Sequence, residues 1–432
     1  MQKIEITNFG PVKNVNLEIK DYNVFIGPQA SGKSTISKTI YFFKSLRDDL
    51  VKYVYESIEN ETFYKPLGSY AKFIRKKFLD FWGPTFHLTE LDICYFYKKS
   101  ISIKINLEKN GKYISPDFSP EFKNAFTEII EEAKNFLEIK KMINKTFLSS
   151  NEIIQFDAQK RQFFSKLQKS ANELFADDKD LIFIPAGRSL LATLSDQLQN
   201  IHPHRLDYLM RSFVDRINNA KPLFNKGLNE LITEKLKLTH EEIDFEKVRF
   251  TKELIEKILK GKYQFDHEGE KIYFDKEKYT KINYSSSGQQ EVIWILLLVF
   301  ILVLENRSVF IVIEEPEAQL YPEAQKQIID LISLLGNSLN NQIIITTHSP
   351  YILASINNLV YAKKISINNK ESVAKRIHPY LWIDCEKLNA YFIEKEIFRN
   401  IFDVDLTSID TNAIDSASAI INEDYNFLFN LE

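Results

Sequence analysis

The run Gly27-Pro28-Gln29-Ala30-Ser31-Gly32-Lys33-Ser34 constrains this chain more than any other stretch of it. It fits G-x-x-x-x-G-K-[ST], in which the glycines let successive backbone N–H groups converge on phosphate oxygens while a lysine meets the outer phosphates. The pattern needs a buried strand before it and a helix after it. Val24-Phe25-Ile26 supplies the strand, and residues from Lys33 to Phe43 supply the helix, whose N-terminus adds partial positive charge. A chance glycine-lysine turn would not carry both flanks. The whole run from Gly27 to Ser34 therefore reads as a triphosphate cradle, with Lys33 bridging the β- and γ-oxygens, the Ser34 hydroxyl on Mg²⁺, and Thr35 supporting the loop through phosphate.

A second run answers it far downstream. Phe310-Ile311-Val312-Ile313 is apolar on both faces, as a central strand of a mostly parallel sheet should be, and it ends in Glu314-Glu315. Open α/β sheets place ligands at that end of a strand. Neighbouring strand residues point to opposite sides, which predicts Glu314 on Mg²⁺, through water, and Glu315 polarising the attacking water. His348 follows another buried strand, Ile343-Ile344-Ile345, and its neutral imidazole can contact the γ-phosphate. Lys33, Glu315 and His348 are the expected catalytic set. The other histidine cluster, His202-Pro203-His204, has no accompanying Cys or carboxylate and suggests no metal site.

Between these runs lies Ser285-Ser286-Ser287-Gly288-Gln289-Gln290, ahead of an unbroken apolar stretch from Val292 to Leu304. Ser287 with Gln290 fits a capping box. The plain reading is a helix start. The functional reading has Ser286, Ser287, Gly288 and Gln289 facing a γ-phosphate held by a second copy of the chain. The apolar stretch is too short for a bilayer, which needs about 20 residues, and a helix buried on all sides is expected.

At 432 residues the chain can bury a large core, and its net charge of −3 offers nucleic acid only a local patch. Two cysteines cannot build a disulfide framework, and the N-terminus alternates like a strand instead of resembling a secretion signal. A soluble, cytoplasmic protein without membrane contact is the expectation. Ile4, Ile6, Val15 and Leu17 predict a hairpin turning at Asn8-Phe9-Gly10-Pro11. From Ser45 to Lys179 the sequence turns rich in Phe, Tyr, Lys and Glu. It carries two short strands, an Asn110-Gly111 turn and near-heptad spacing from Phe122 to Phe147, with a second helix from Ile153 to Phe175. A helical pair on the domain surface accounts for it better than a projecting arm. The expected division is an ATPase core of residues 1–44, 180–189 and 281–400, an insertion of 45–179, a helical signature lobe of 190–280, and an acidic tail of 401–432.

Together these runs resemble the ABC-type ATPase heads of the SMC and RecF group, and most closely those of the overcoming-lysogenization-defect (OLD) family. The resemblance rests on Asn8 to Pro11, the phosphate loop, Phe183 to Ser189, Ser286 to Glu291, Ile313 to Pro322 and Thr346 to Pro350. It implies an α/β P-loop NTPase of ABC-ATPase type: a mixed sheet core with an N-terminal hairpin, a helical lobe and an α+β insertion. ATP and Mg²⁺ are the implied cofactors. Ser286, Gly288 and Gln289 would form the signature acting in trans, Glu317 would lie in the loop coupling paired sites, and His348 would be the switch histidine. Arg188 has no assigned role. OLD nucleases add a metal-dependent nuclease domain, but too little chain surrounds Asp403-Val404-Asp405 for one. The resemblance thus implies an oligomeric anti-phage ATPase controlling a separate effector, a nuclease or toxin. A RecF-like ATPase closing on DNA is the alternative, and a transporter subunit fits poorly.

Overall fold

The computed structural model describes residues 1–85, 88, 90–108, 113–144, 150–193, 206–238, 243–394, 396–410, 422–423 and 425–429. The Asn110-Gly111 turn, His202-Pro203-His204 and most of the chain after 410 lie outside those residues. Two units emerge, one of Met1–Ile19 and Thr35–Leu181, the other of Lys20–Ser34 and Ile182–Glu432.

The chain opens with β1 (Lys3–Phe9), β2 (Val12–Glu18) and β3 (Tyr22–Ile26). Helices α1 (Lys33–Glu59) and α2 (Pro66–Trp82) follow, then β4 (Asp92–Phe96), β5 (Ser102–Leu107) and β6 (Ile114–Phe118). Two long helices, α3 (Pro120–Asn144) and α4 (Ser150–Phe175), lead to β7 (Asp180–Ile184).

In the first unit an antiparallel sheet runs in the order β2-β1-β4-β5-β6. Ile4 and Ile6 alternate inward, as their spacing predicts, and pair with Leu17 and Val15. Helix α1 does not stop at Phe43. Leu46, Leu50, Val54 and Ile58 recur every fourth residue and are all buried, so one apolar face carries the helix on to Glu59. Phe43 stacks on Tyr95 of β4 with ring centroids 5.3 Å apart. Helices α3 and α4 pack together, with Phe136 stacked on Phe163 at 4.3 Å, and Phe164 meets Tyr55 of α1.

The second unit continues with α5 (Ser189–Thr193), α6 (Tyr208–Ala220), α7 (Gly227–Leu238) and α8 (Phe245–Leu259). A small sheet of β8 (Lys262–Asp266), β9 (Gly269–Tyr273) and β10 (Tyr279–Lys281) precedes α9 (Ser287–Leu304). Then come β11 (Val309–Glu314), α10 (Pro322–Gly336), β12 (Gln342–Thr347), α11 (Pro350–Ala374), β13 (Leu388–Glu394) and β14 (Ile397–Asn400). The main sheet has the order β14-β13-β3-β12-β11-β7. β3 and β11 are buried at every position, as strands covered on both faces must be. Helix α9 is long and apolar enough to cross a membrane, but 78% of it is buried and it packs on α5, α8 and α10. Residues 401–410, read from the sequence as the start of a tail, are anchored instead. Ile401, Phe402 and Ile409 join the core, and Ile409 N donates to Asn357 Oδ1.

Candidate active site

Four parallel strands set the geometry. β13, β3, β12 and β11 run side by side in one direction, with Ile26 opposite Thr347 and Thr346 opposite Glu314. The chain leaving β3, β12 and β11 therefore emerges along one edge of the sheet. Gly27, His348 and Glu315 are the residues found there.

The phosphate loop is held closed by contacts that its sequence pattern requires. A Cβ on Gly27 would lie 1.9 Å from Ile393 O, so β13 can approach only a glycine. Gly32 has φ +107°, and Ala30 adopts a left-handed φ of 58°. Pro28, Gln29, Ala30 and Ser34 are exposed, while Ser31, Gly32 and Lys33 are buried. Lys33 Nζ donates to Gly27 O at 2.8 Å, Pro28 O at 2.6 Å and Ser31 Oγ at 3.3 Å. Burial lowers its pKa to about 8, against the opposing pull of Glu315 and Glu317. Thr35 belongs to the other unit, where its carbonyl accepts from Thr39 Oγ1.

The two acids diverge for a reason other than strand alternation. β11 ends at Glu314, and Glu315 turns away with a left-handed φ of 46°, an uncommon conformation for a residue with a Cβ. Glu315 N is fixed by Thr346 O at 2.9 Å. The Glu314 side chain is buried. Its Oε2 accepts from Ala186 N at 3.4 Å, and its Oε1 has no hydrogen-bond partner. A buried carboxylate oxygen with nothing to accept suits a cation. Glu315 is more open, and its Oε1 lies 3.4 Å from His348 Nε2.

Glu317 proves central. Its Oε1 accepts from Thr347 Oγ1 at 2.6 Å and from His348 N at 2.8 Å, so the loop after β11 holds the loop after β12. Its Oε2 is buried and unpartnered. The residues read as a signature do not join this group. The capping box of α9 is formed by Ser286 and Gln289, one residue earlier than the predicted Ser287 and Gln290. Gln290 Nε2 instead donates to Asn283 O and Ser285 O. Gln289 Nε2 donates to Leu259 O at 2.7 Å, which engages its side chain within its own chain. A Cβ on Gly288 would lie 2.7 Å from Gln319 O, so this glycine lets the loop after Glu317 close on the helix start. Ser286 and Ser287 remain exposed.

Sequence reasoning left Arg188 without a role, and the structure buries it completely. Its Nη1 donates to Pro185 O at 2.6 Å and Glu314 O at 2.7 Å, its Nη2 to Glu315 O at 2.9 Å, and its Nε to Glu291 O at 2.9 Å. Glu291 Oε2 accepts from Arg188 N at 3.0 Å, and Glu291 Oε1 from Ser189 Oγ at 2.9 Å. One signal pointed to this. Glu291 is the only charged residue in α9, and a lone carboxylate on a buried helix requires a partner.

A glycine loop between a buried strand and a helix, with acids at the end of a parallel strand two places away, defines a phosphate-loop ATPase domain in a mixed α/β fold. The chain belongs to the AAA ATPase domain family, which matches residues 1–353. No curated protein matches it. Among solved structures it is similar to an Smc head bound to the C-winged helix domain of ScpA, at 11% identity and a TM-score of 0.42, covering 92% of this chain and 96% of that one. The SMC head domain from Thermotoga maritima is similar at 13% identity and a TM-score of 0.36, covering 82% and 90%.

Proposed function

We propose that this chain hydrolyses ATP and does so in pairs, each copy completing the site of the other. The observation that carries the reading is the placement of Glu315: an acid on a strained backbone, open to solvent, 3.4 Å from His348 Nε2 and on the same sheet edge as the phosphate loop. The N–H groups of residues 29–34 and the Lys33 ammonium hold the β- and γ-phosphates. Ser34 and, through water, Glu314 with its unpartnered Oε1 would hold Mg²⁺, which would supply charge to screen the phosphates. Glu315 orients and polarises the attacking water, and His348 contacts the γ-phosphate. Ser286, Ser287 and Gly288 present the exposed start of α9 to nucleotide on a second copy, while Gln289 braces that helix start.

On the OLD-like resemblance, the paired state is a sensor or scaffold of bacterial anti-phage defence that holds and releases a separate effector, a nuclease or toxin, in the cytoplasm. A groove of about 730 Å³ favours one second reading, a RecF-like clamp on DNA, because Lys226, Lys260, Lys262 and Lys276 line it beside Tyr273 and Phe274. The deciding experiment measures Mg²⁺-dependent ATP hydrolysis and ATP-dependent self-association of the purified chain, with DNA binding titrated against salt. Hydrolysis that rises with self-association supports the paired site. Hydrolysis by a demonstrably monomeric sample removes it, and tight, salt-sensitive DNA binding moves the reading to the clamp.

A further inference from the structure

We infer that Arg188 is a positioning residue that links the start of α9 to the water-polarising carboxylate. The inference rests on the roles given above to α9 and Glu315. Arg188 is fully buried in the loop between β7 and α5, and its guanidinium divides its donors between two places. On one side it grips the carbonyls of Glu314 and Glu315, at 2.7 and 2.9 Å. On the other it donates to Glu291 O at 2.9 Å and lies 3.4 Å from Glu291 Oε2. Glu291 sits one turn inside α9, just past the Ser286–Gln289 cap.

The arrangement does more than satisfy a buried charge. Glu315 has a left-handed φ of 46°, and such a backbone persists only where its surroundings hold it. Three contacts hold its peptide groups: Thr346 O on its N–H, and Ala318 N and Arg188 Nη2 on its carbonyl, of which only Arg188 comes from beyond the adjoining turn and strand. Thr346 belongs to a rigid central strand. Arg188 is tied to α9, whose start at Ser286 and Ser287 is exposed and, on the proposed pairing, meets the second copy. A shift of that turn is passed through Glu291 and Arg188 to the Glu315 carbonyl, and so to the angle of its carboxylate. The planar fork of arginine suits this link, since a lysine ammonium could reach one of the carbonyls but not hold both together with Glu291.

The test separates positioning from folding. Arg188→Lys keeps the buried charge, and Glu291→Gln approaches the same link from α9 with little change of volume. Nucleotide affinity, ATP-dependent self-association and kcat are measured for each in the full chain. Both variants are expected to bind a fluorescent ATP analogue within about threefold of wild type, to self-associate with ATP, and to lose at least tenfold in kcat. The double variant is expected to be no slower than the slower single one, because both changes weaken one link, Glu291→Gln through the carboxylate's contacts with Arg188 and Ser189. Hydrolysis within twofold of wild type in both single variants overturns the inference. So does a parallel loss of nucleotide affinity and thermal stability with kcat per folded molecule unchanged, which marks a purely structural role. A wild-type chain that binds no ATP refutes the proposed function itself, a result distinct from fully active Arg188→Lys and Glu291→Gln in a hydrolysing wild type.

Discussion

On the proposed mechanism Glu315 and Lys33 act at opposite ends of the same reaction, and their variants should separate. Glu315→Gln keeps the phosphate contacts and loses the polarising charge. It is expected to bind ATP, to hydrolyse it at least a hundredfold more slowly, and to accumulate as an associated species on size-exclusion chromatography. Lys33→Ala removes the contact to phosphate and should weaken nucleotide binding instead, read by titration with a fluorescent analogue. Near-wild-type turnover by Glu315→Gln defeats the role given to that carboxylate. Glu317 offers a finer test. Glu317→Gln can still accept from Thr347 Oγ1 and His348 N, whereas Glu317→Ala leaves both donors unpaired. Charge-assisted hydrogen bonds are worth about 1.5–3 kcal/mol each, so kcat should fall on the order of tenfold or more for the alanine and much less for the glutamine. Equal rates for the two would show that His348 needs no such support. The resemblance puts Glu317 in a loop coupling paired sites, without naming a partner for its carboxylate within the chain. Only the strand register places it against the loop after β12.

At the scale of elements, α1 shows how a buried charge can anchor a helix. Lys44 and Asp177 form an ion pair with almost no exposure, and Arg47 donates to Asp177 O and Lys179 O. Burial raises the Asp177 carboxyl, but Lys44 and Lys179 together outweigh it and hold the pKa below its ordinary value of 3.8. The stabilisation is therefore fully present above that unfolded value and lost as pH falls through the lower folded one. Breaking a buried pair costs about 3–5 kcal/mol because one charge is left alone. Lys44→Met should lower the denaturation midpoint accordingly, and Lys44→Met with Asp177→Leu should recover most of that loss. A single variant as stable as wild type would show that the pair contributes nothing. The sequence marked the composition change at Ser45 but not the continuity of α1, because Leu46, Leu50, Val54 and Ile58 sit among aromatic and charged residues that hide their period. The cap of α9 was misplaced by one residue for a similar reason. Three serines and two glutamines satisfy the pattern twice, and the choice of Ser286 and Gln289 follows from where Leu259 O and Asn283 O accept.

The whole molecule makes its own prediction, that the site is shared between copies. On the proposed pairing, Lys33→Ala impairs the phosphate loop of one copy and Ser286→Arg the α9 start of the other, so a mixed pair contains one intact composite site. Mixing the two should restore up to about a quarter of wild-type hydrolysis, since half of random pairs are mixed and each has one working site of two. Self-association is followed alongside by sedimentation, and no recovery in a mixture that demonstrably pairs excludes action in trans.

What the sequence determined by itself was local and ordered along the chain. The glycine loop between strand and helix, the apolar strand ending in two acids, and the apolar helix behind a serine cap are each written in consecutive residues, because a phosphate cradle, a central strand and a buried helix impose their own spacing. What only the tertiary structure decided is what meets across distance. Arg188 and Glu291 are 103 residues apart, and Glu317 and His348 are joined through parallel strands. No local period encodes such a meeting. It follows from sheet order and from the requirement that a charge taken out of water find a partner.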